Sequence, residues 1–291
     1  MNYSSSNTYR MIYFNLNDGN KIPALGFGTY LIPDDGTTEK SVLMALEAGY
    51  RLIDTAQAYQ NEIGVGKAIK ASGLKREEIF IESKLWCSNF GYEKAKKGIE
   101  SSLKKLDVDY IDLYILHQPY GDVVGAYKAL EEAQTEGKIK SIGISNQDAK
   151  FLKDFLPKVN VMPSVNQIEC NPFCQRKDER DIMSKDNIAL QSWYPIGHGN
   201  KELLNNNDIV EIGKKYNKSS VQVILKWHIQ NGFIAIPKST SKKHIEDNFN
   251  IFDFELSQED MQKIEKLDTG KPSFIHNEEF GKQLLSWVVP E

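Results

Sequence analysis

Most of the apolar runs in this sequence stop on side chains that can exchange a proton or grip a polar ligand. The run 50–56 carries Asp54 and the run 79–86 carries Lys84. The run 110–117 ends on His117, 139–145 leads into Ser145-Asn146, and 164–169 holds Asn166-Gln167. Trp193-Tyr194 close the run 188–195, and Lys238-Ser239 close the run 233–239. A carboxylate, an ammonium and an imidazole that titrates near neutrality are the ordinary parts of acid–base chemistry. The amides and hydroxyls beside them suit the orientation of a polar ligand. Strands must stop in polar loops anyway, so chance supplies two or three such ends. A full ring of them implies a site.

For these side chains to meet, the runs must lie side by side and point the same way. The strand-like runs are 24–30, 50–56, 79–86, 110–117, 139–145, 164–169, 188–195 and 233–239. Stretches with helical period lie between them: Ala95, Ile99, Leu103 and Leu106 share one face, as do Val221, Ile224, Leu225 and His228. Each crossover is long enough for a helix, which predicts parallel strands. Periodicity alone does not separate a closed barrel from an open doubly wound sheet. Eight units in about 250 residues predict the α/β class (β/α)8 TIM barrel, with its active site at the carboxyl ends of the strands. Two short apolar runs around Asn17-Asp18-Gly19-Asn20 predict an N-terminal β-hairpin. Residues 1–10, rich in Ser and Asn, are expected to be flexible, and residues 11–291 to form one domain. The tail 269–291 holds Phe274, Phe280 and Trp287 at spacings too irregular for a clear helix. It is expected as a loop over the active-site face, roofing the pocket or packing on the barrel's side.

Composition narrows the class of partner. The 291 residues are 40% apolar and 26% charged with a net charge of −4, which offers nothing to nucleic acid or to an anionic membrane. No apolar run approaches the ~20 residues that span a bilayer. The start MNYSSSNTYR lacks the apolar centre of a secretion signal, so a cytoplasmic protein is expected. Cys87, Cys170 and Cys174 read as small buried hydrophobes. The five histidines are scattered, and no metal is expected.

The run GYRLIDTAQAYQNEIGVG at 49–66 resembles the signature of the aldo-keto reductases. KIKSIGISN at 138–146 and IPKSTSKKHIEDNFNIFDFEL at 236–256 resemble the same family, in order and spacing from about residue 11 to residue 268. By contrast, Gly26-Phe27-Gly28 lacks the third glycine and the helix of a dinucleotide fingerprint. The resemblance implies reversible reduction of aldehydes and ketones by four catalytic residues, Asp54, Tyr59, Lys84 and His117. No side chain supplies hydride, so a cofactor must. Tyr59 would supply the proton, and a free phenol with a pKa near 10 is too weak an acid to do so well at neutrality. Lys84 beside it would lower that pKa, Asp54 would hold Lys84, and His117 would orient the carbonyl. By position the resemblance also implies Ser145, Asn146 and Gln167 on the nicotinamide carboxamide, with Trp193 stacked on the ring. Gly28 and Thr29 would lie beside the cofactor, Lys238 and Ser239 on the adenosine 2′-phosphate, and Asp247 and Asn248 against adenine. Tyr30, Trp86 and Gln118 would wall the substrate pocket. Taken singly each residue also has an ordinary reading: a loop aromatic, a structural ion pair, a rim histidine, a solvated lysine.

Three positions depart from the family pattern. His244 stands where an arginine commonly clamps the 2′-phosphate, and histidine lacks the guanidinium fork. NADPH is expected on the strength of Lys238 and Ser239, with NADH left open. Gln147 replaces an aromatic, and Gln118 replaces a tryptophan, which predicts a more polar pocket wall. The expected partner is a small carbonyl compound, and the expected state, by analogy, is a monomer. Two other functions compete. A cofactor-binding, redox-sensing barrel with little turnover would need none of the proton machinery. A Schiff-base aldolase using Lys84 or Lys238 would need a charge-poor lysine, which Asp54 beside Lys84 opposes.

Overall fold

Alternating apolar positions become strands and the amphipathic stretches become helices in the computed structural model, which describes residues 11–290. The flexibility expected of residues 1–10 lies outside the described residues. β1 (Tyr13–Asn15) and β2 (Lys21–Pro23) pair antiparallel as the expected hairpin. There follow β3 (Gly26–Gly28), β4 (Leu52–Asp54), β5 (Phe80–Leu85), β6 (Ile111–Leu116), β7 (Ile139–Ser145), β8 (Val165–Glu169), β9 (Ala189–Trp193) and β10 (Ile234–Ala235). These eight lie parallel in chain order, with helices between them. A parallel bridge from Leu25 to Ala235 and a bond from Gly28 N to Pro237 O (3.0 Å) bring the two ends together. The sheet is therefore a (β/α)8 barrel and not an open one. β3 and β10 are shorter than the runs that predicted them. Pro237 has no N–H to continue the ladder, and Thr29 N already turns to Asp54 O (3.1 Å).

Inward-facing side chains fill the barrel in layers. Leu52, Phe80, Leu113, Val165 and Ile234 form an apolar cluster with Leu16 and Ile22 of the hairpin, which thus closes the amino-terminal end of the barrel. One step along each strand the chemistry changes to Asp54, Glu82, Gln167 and Gln191, all buried. Outside the barrel, helix 92–106 buries the predicted face Ala95, Ile99, Leu103 and Leu106. Helix 220–230 buries Ile224, Leu225 and His228, with Val221 half-buried at its edge. All three cysteines are buried and free.

The tail corrects the sequence reading. It contains a helix, Glu278–Ser286, whose Asn277 cap accepts from Phe280 N at 2.8 Å. Asn277 followed by Glu278-Glu279 was a legible start signal. Its apolar face is too short and broken to have shown as a period.

Candidate active site

The period of two along β5 that sends Phe80 and Glu82 into the barrel also sends Lys84 inward, at its carboxyl end. Lys84 Nζ donates to Asp54 Oδ1 at 2.5 Å, to Thr55 O at 2.9 Å and to Tyr59 Oη at 3.3 Å. Tyr59 sits on a single 3-10 turn, Gln57–Tyr59, between β4 and helix 62–71. Both sides of that turn are tied down. Gln57 Oε1 accepts from Trp86 N and Asn89 Nδ2, each at 3.0 Å. Asn61 Nδ2 donates to Thr29 O and Ile32 O, and Asn61 Oδ1 accepts from Thr55 Oγ1. His117, one residue past β6, stands edge-on to Tyr59 (5.7 Å between centroids) and to Trp86 (5.2 Å). The four residues of the implied catalytic set therefore converge.

Burial opposes the charge on Lys84, yet Asp54, Tyr59 and Glu82 together lift its pKa above the usual lysine value. For Tyr59 the net direction corrects the expectation. Burial raises the phenol's pKa, and the downward pull of Lys84, though present, is smaller. Burial, then the Lys84 charge, pushes His117 well below the ordinary imidazole range, so its ring is neutral. His117 Nδ1 is buried without a partner among the described residues.

Asp54, Tyr59 and His117 open onto a cavity of about 460 Å³, with Lys84 buried behind them. Tyr30, Trp86 and Gln118 line it, as expected, and so do Gly28, Ser145, Asn146, Gln167, Trp193 and Lys238. Asn146, at φ +58, donates to His117 O and Gln118 Oε1, and its Oδ1 accepts from Trp193 Nε1 at 2.8 Å. That bond fixes the indole plane against the cavity. Ser145 Oγ donates to Gln167 O at 2.7 Å. Thr29, next to Gly28, is fully buried, and its Oγ1 donates to Asp54 O (2.9 Å), which braces the strand end; it is not among the residues lining the cavity. Ser239, His244, Asp247 and Asn248 also lie outside the cavity lining. His244 is exposed, Asp247 pairs with Lys243, and Asn248 is buried.

The tail roofs the cavity: Phe274, His276, Phe280, Leu284 and Trp287 all line it. Trp86 Nε1 donates to Trp287 O at 2.8 Å, and the two indoles pack 4.7 Å apart. Glu169, buried at the end of β8, accepts from Ser273 N at 2.8 and 3.0 Å and ties the tail down. Sequence reasoning missed Glu169, Glu82 and Gln191. Alternation outward from Lys84 would have flagged Glu82. Glu169 has no local signal, since its partner lies 104 residues away.

The cavity fits a nicotinamide nucleotide. It offers a fixed indole face, convergent amides and a lysine at the mouth. Bare backbone lines it at Gly28, where a Cβ would meet Ile236 Cγ2 at 3.2 Å.

The sequence profile of the Aldo/keto reductase family matches residues 24–269. The chain is 43% identical over 254 residues to a glyoxal reductase of Bacillus subtilis, spanning 87% of this chain and 91% of the relative. It is 42% identical over 258 residues to a 9,11-endoperoxide prostaglandin H2 reductase of Trypanosoma cruzi, spanning 88% and 91%. The crystal structure of an aldo/keto reductase from Brucella melitensis matches with a TM-score of 0.85 at 43% identity, covering 89% of this chain and all of that one.

Proposed function

The chain belongs to the aldo/keto reductase family and reduces small carbonyl compounds with a nicotinamide cofactor, and we propose that Tyr59 supplies the proton and that NADPH is the preferred reductant. The observation that carries the first part is the single ammonium of Lys84, bonded at once to Asp54 and to the phenol of Tyr59.

The bound nucleotide supplies the hydride for the carbonyl carbon. The carbonyl oxygen then gains negative charge and takes the proton of Tyr59 Oη. Lys84 already donates to that oxygen, so it stabilises the phenolate left behind. Asp54 keeps the ammonium aimed. The neutral ring of His117 donates one hydrogen bond and orients the substrate oxygen. Trp193, held by Asn146, would present its face to the nicotinamide, and Ser145, Asn146 and Gln167 would hold the carboxamide. Lys238 and Ser239, assisted by His244, would hold the 2′-phosphate, and Asp247 and Asn248 would serve the adenine. The support for this choice is Lys238, which is exposed at the cavity mouth and has no ion-pair partner among the described residues.

Tyr30, Trp86, Gln118 and the tail wall the substrate end. The relatives' names run from glyoxal to a prostaglandin endoperoxide, so we place no single substrate there. The hairpin and tail both pack on the barrel, which supports one domain over 11–291; the monomeric state is proposed by analogy with the fold alone.

The pH profile tests this assignment. Reduction needs the phenol protonated, and a pKa raised by burial keeps it so through neutrality. The reduction rate should be flat there and fall only on the alkaline side. A rate that falls as pH rises through neutrality would contradict it. In parallel, Lys238→Ala should weaken NADPH binding and leave NADH binding unchanged; equal loss for both would sink the 2′-phosphate role.

A further inference from the structure

Beneath the Asp54–Lys84 pair the barrel holds a second carboxyl that the reaction as described does not use. Glu82, on β5, is fully buried. Its Oε1 accepts from Gln167 Nε2 at 2.8 Å and its Oε2 from Gln191 Nε2 at 2.5 Å. Gln167 Nε2 also lies 3.1 Å from Asp54 Oδ1 and 2.8 Å from Gln191 Oε1. Glu82 and Asp54 are register partners on β5 and β4, and both carboxyls reach the same amide nitrogen of Gln167. The ionisable groups facing Glu82 are Asp54 of β4, Lys84 of β5 and Tyr59 of the 3-10 turn. Gln167 of β8 and Gln191 of β9 are uncharged, and Leu113, its register partner on β6, is apolar. Two carboxyls thus share one ammonium away from water, and only one negative charge is balanced. Burial, then Asp54, pushes Glu82 well above the ordinary carboxylate range.

We propose that Glu82 is a positioning residue: a carboxylic acid that holds its proton against Asp54, keeps the Asp54–Lys84–Tyr59 chain electrically balanced and aims the amide of Gln167. The acid O–H donates to the Asp54 carboxylate. A negative charge at Glu82 would reach Tyr59 and make its phenol a poorer acid. Drawing Gln167 Nε2 inward leaves Gln167 Oε1 for a ligand in the cavity. The inference rests on the Tyr59 reading for its effect on rate, but the proton on Glu82 can be measured apart from turnover.

The first test is infrared difference spectroscopy at neutral pH between the wild type and Glu82→Gln, without substrate. A protonated-carboxyl band present in the wild type and absent from the variant is expected. No such loss means that Glu82 is ionised and overturns the proposal, whatever Tyr59→Phe does. The second test compares rates. Glu82→Gln keeps a neutral hydrogen-bonding group and should retain kcat within about twofold, whereas Glu82→Met should lower kcat about tenfold, the low end for outer positioning groups. The KM for the carbonyl should not move, and the alkaline limb of the profile should stay in place in both variants, since each leaves position 82 uncharged. A folded Glu82→Met with wild-type kcat overturns the proposal. Should that variant fail to fold, the infrared result decides.

Discussion

Lys84 is where the chemistry and the stability of this site meet. Its ammonium is fully buried and leans on Asp54, so removing that carboxylate strands a charge. Asp54→Asn should cost about 3–5 kcal/mol in urea unfolding and lower kcat as well, because the lysine loses its aim. A variant with unchanged stability would show that Glu82 has taken over as counter-ion. At this scale the sequence was informative where chemistry coincides with a strand end: Asp54, Lys84 and His117 were legible as the polar stops of apolar runs. It was silent on Glu82, which sits mid-strand among residues that read as core. It read the pull of Lys84 on the Tyr59 phenol but not the burial that outweighs it, because burial is set by the folded barrel and is not local to the D-x4-Y spacing.

The strands and most helices were legible because each keeps one period over several residues. The tail was not, since its helix is short and its roofing contacts reach about 200 residues back, from Trp287 to Trp86 and from Val289 to Asn89. Trp287→Ala should remove the indole packed on Trp86 and raise KM for bulky aromatic carbonyls roughly fivefold, on about 1 kcal/mol of lost aromatic contact. Cofactor affinity should not change, and equal loss for small and bulky substrates would show that the tail acts on something other than fit. Helix packing supplies a second test. A Cβ on Gly66 would stand 2.4 Å from Leu106 O, so helices 62–71 and 92–106 meet there with no room to spare. Gly66→Ala should destabilise by about 1–3 kcal/mol in thermal unfolding, with kcat intact; a Tm at the wild-type value would mean that the helices can part freely.

The alternation of eight runs with helices made a parallel α/β molecule readable, but closure was decided by Leu25, Ala235 and Pro237, where β3 and β10 are too short to show a period. The assembled barrel also sets how stability follows pH. His228, inward on helix 220–230, contacts Ile224 O (2.8 Å), Cys170 O and Ser192 Oγ (both 3.1 Å). Burial, partly offset by the bonds to the two carbonyls, depresses its pKa from 6.5 to about 4. The folded state therefore resists a proton that the unfolded chain accepts. Stability is intact above pH 6.5 and is lost as pH falls from there towards 4, by up to about 3 kcal/mol for this group. His276 and His117 act in the same direction. His228→Gln should flatten the slope of unfolding free energy against pH in that window without abolishing it, whereas an unchanged slope would place the linkage elsewhere.

The central claim is that the Tyr59 phenol delivers the proton, and the most direct measurement of it is the loss of NADPH absorbance with a panel of aldehydes and ketones. Wild type and Tyr59→Phe are compared, with nucleotide affinity measured separately by fluorescence. The expected result is a fall in kcat of about 10²–10⁴-fold at unchanged NADPH affinity, since only one hydroxyl is lost. A Tyr59→Phe enzyme that binds NADPH and turns over at the wild-type rate would contradict it.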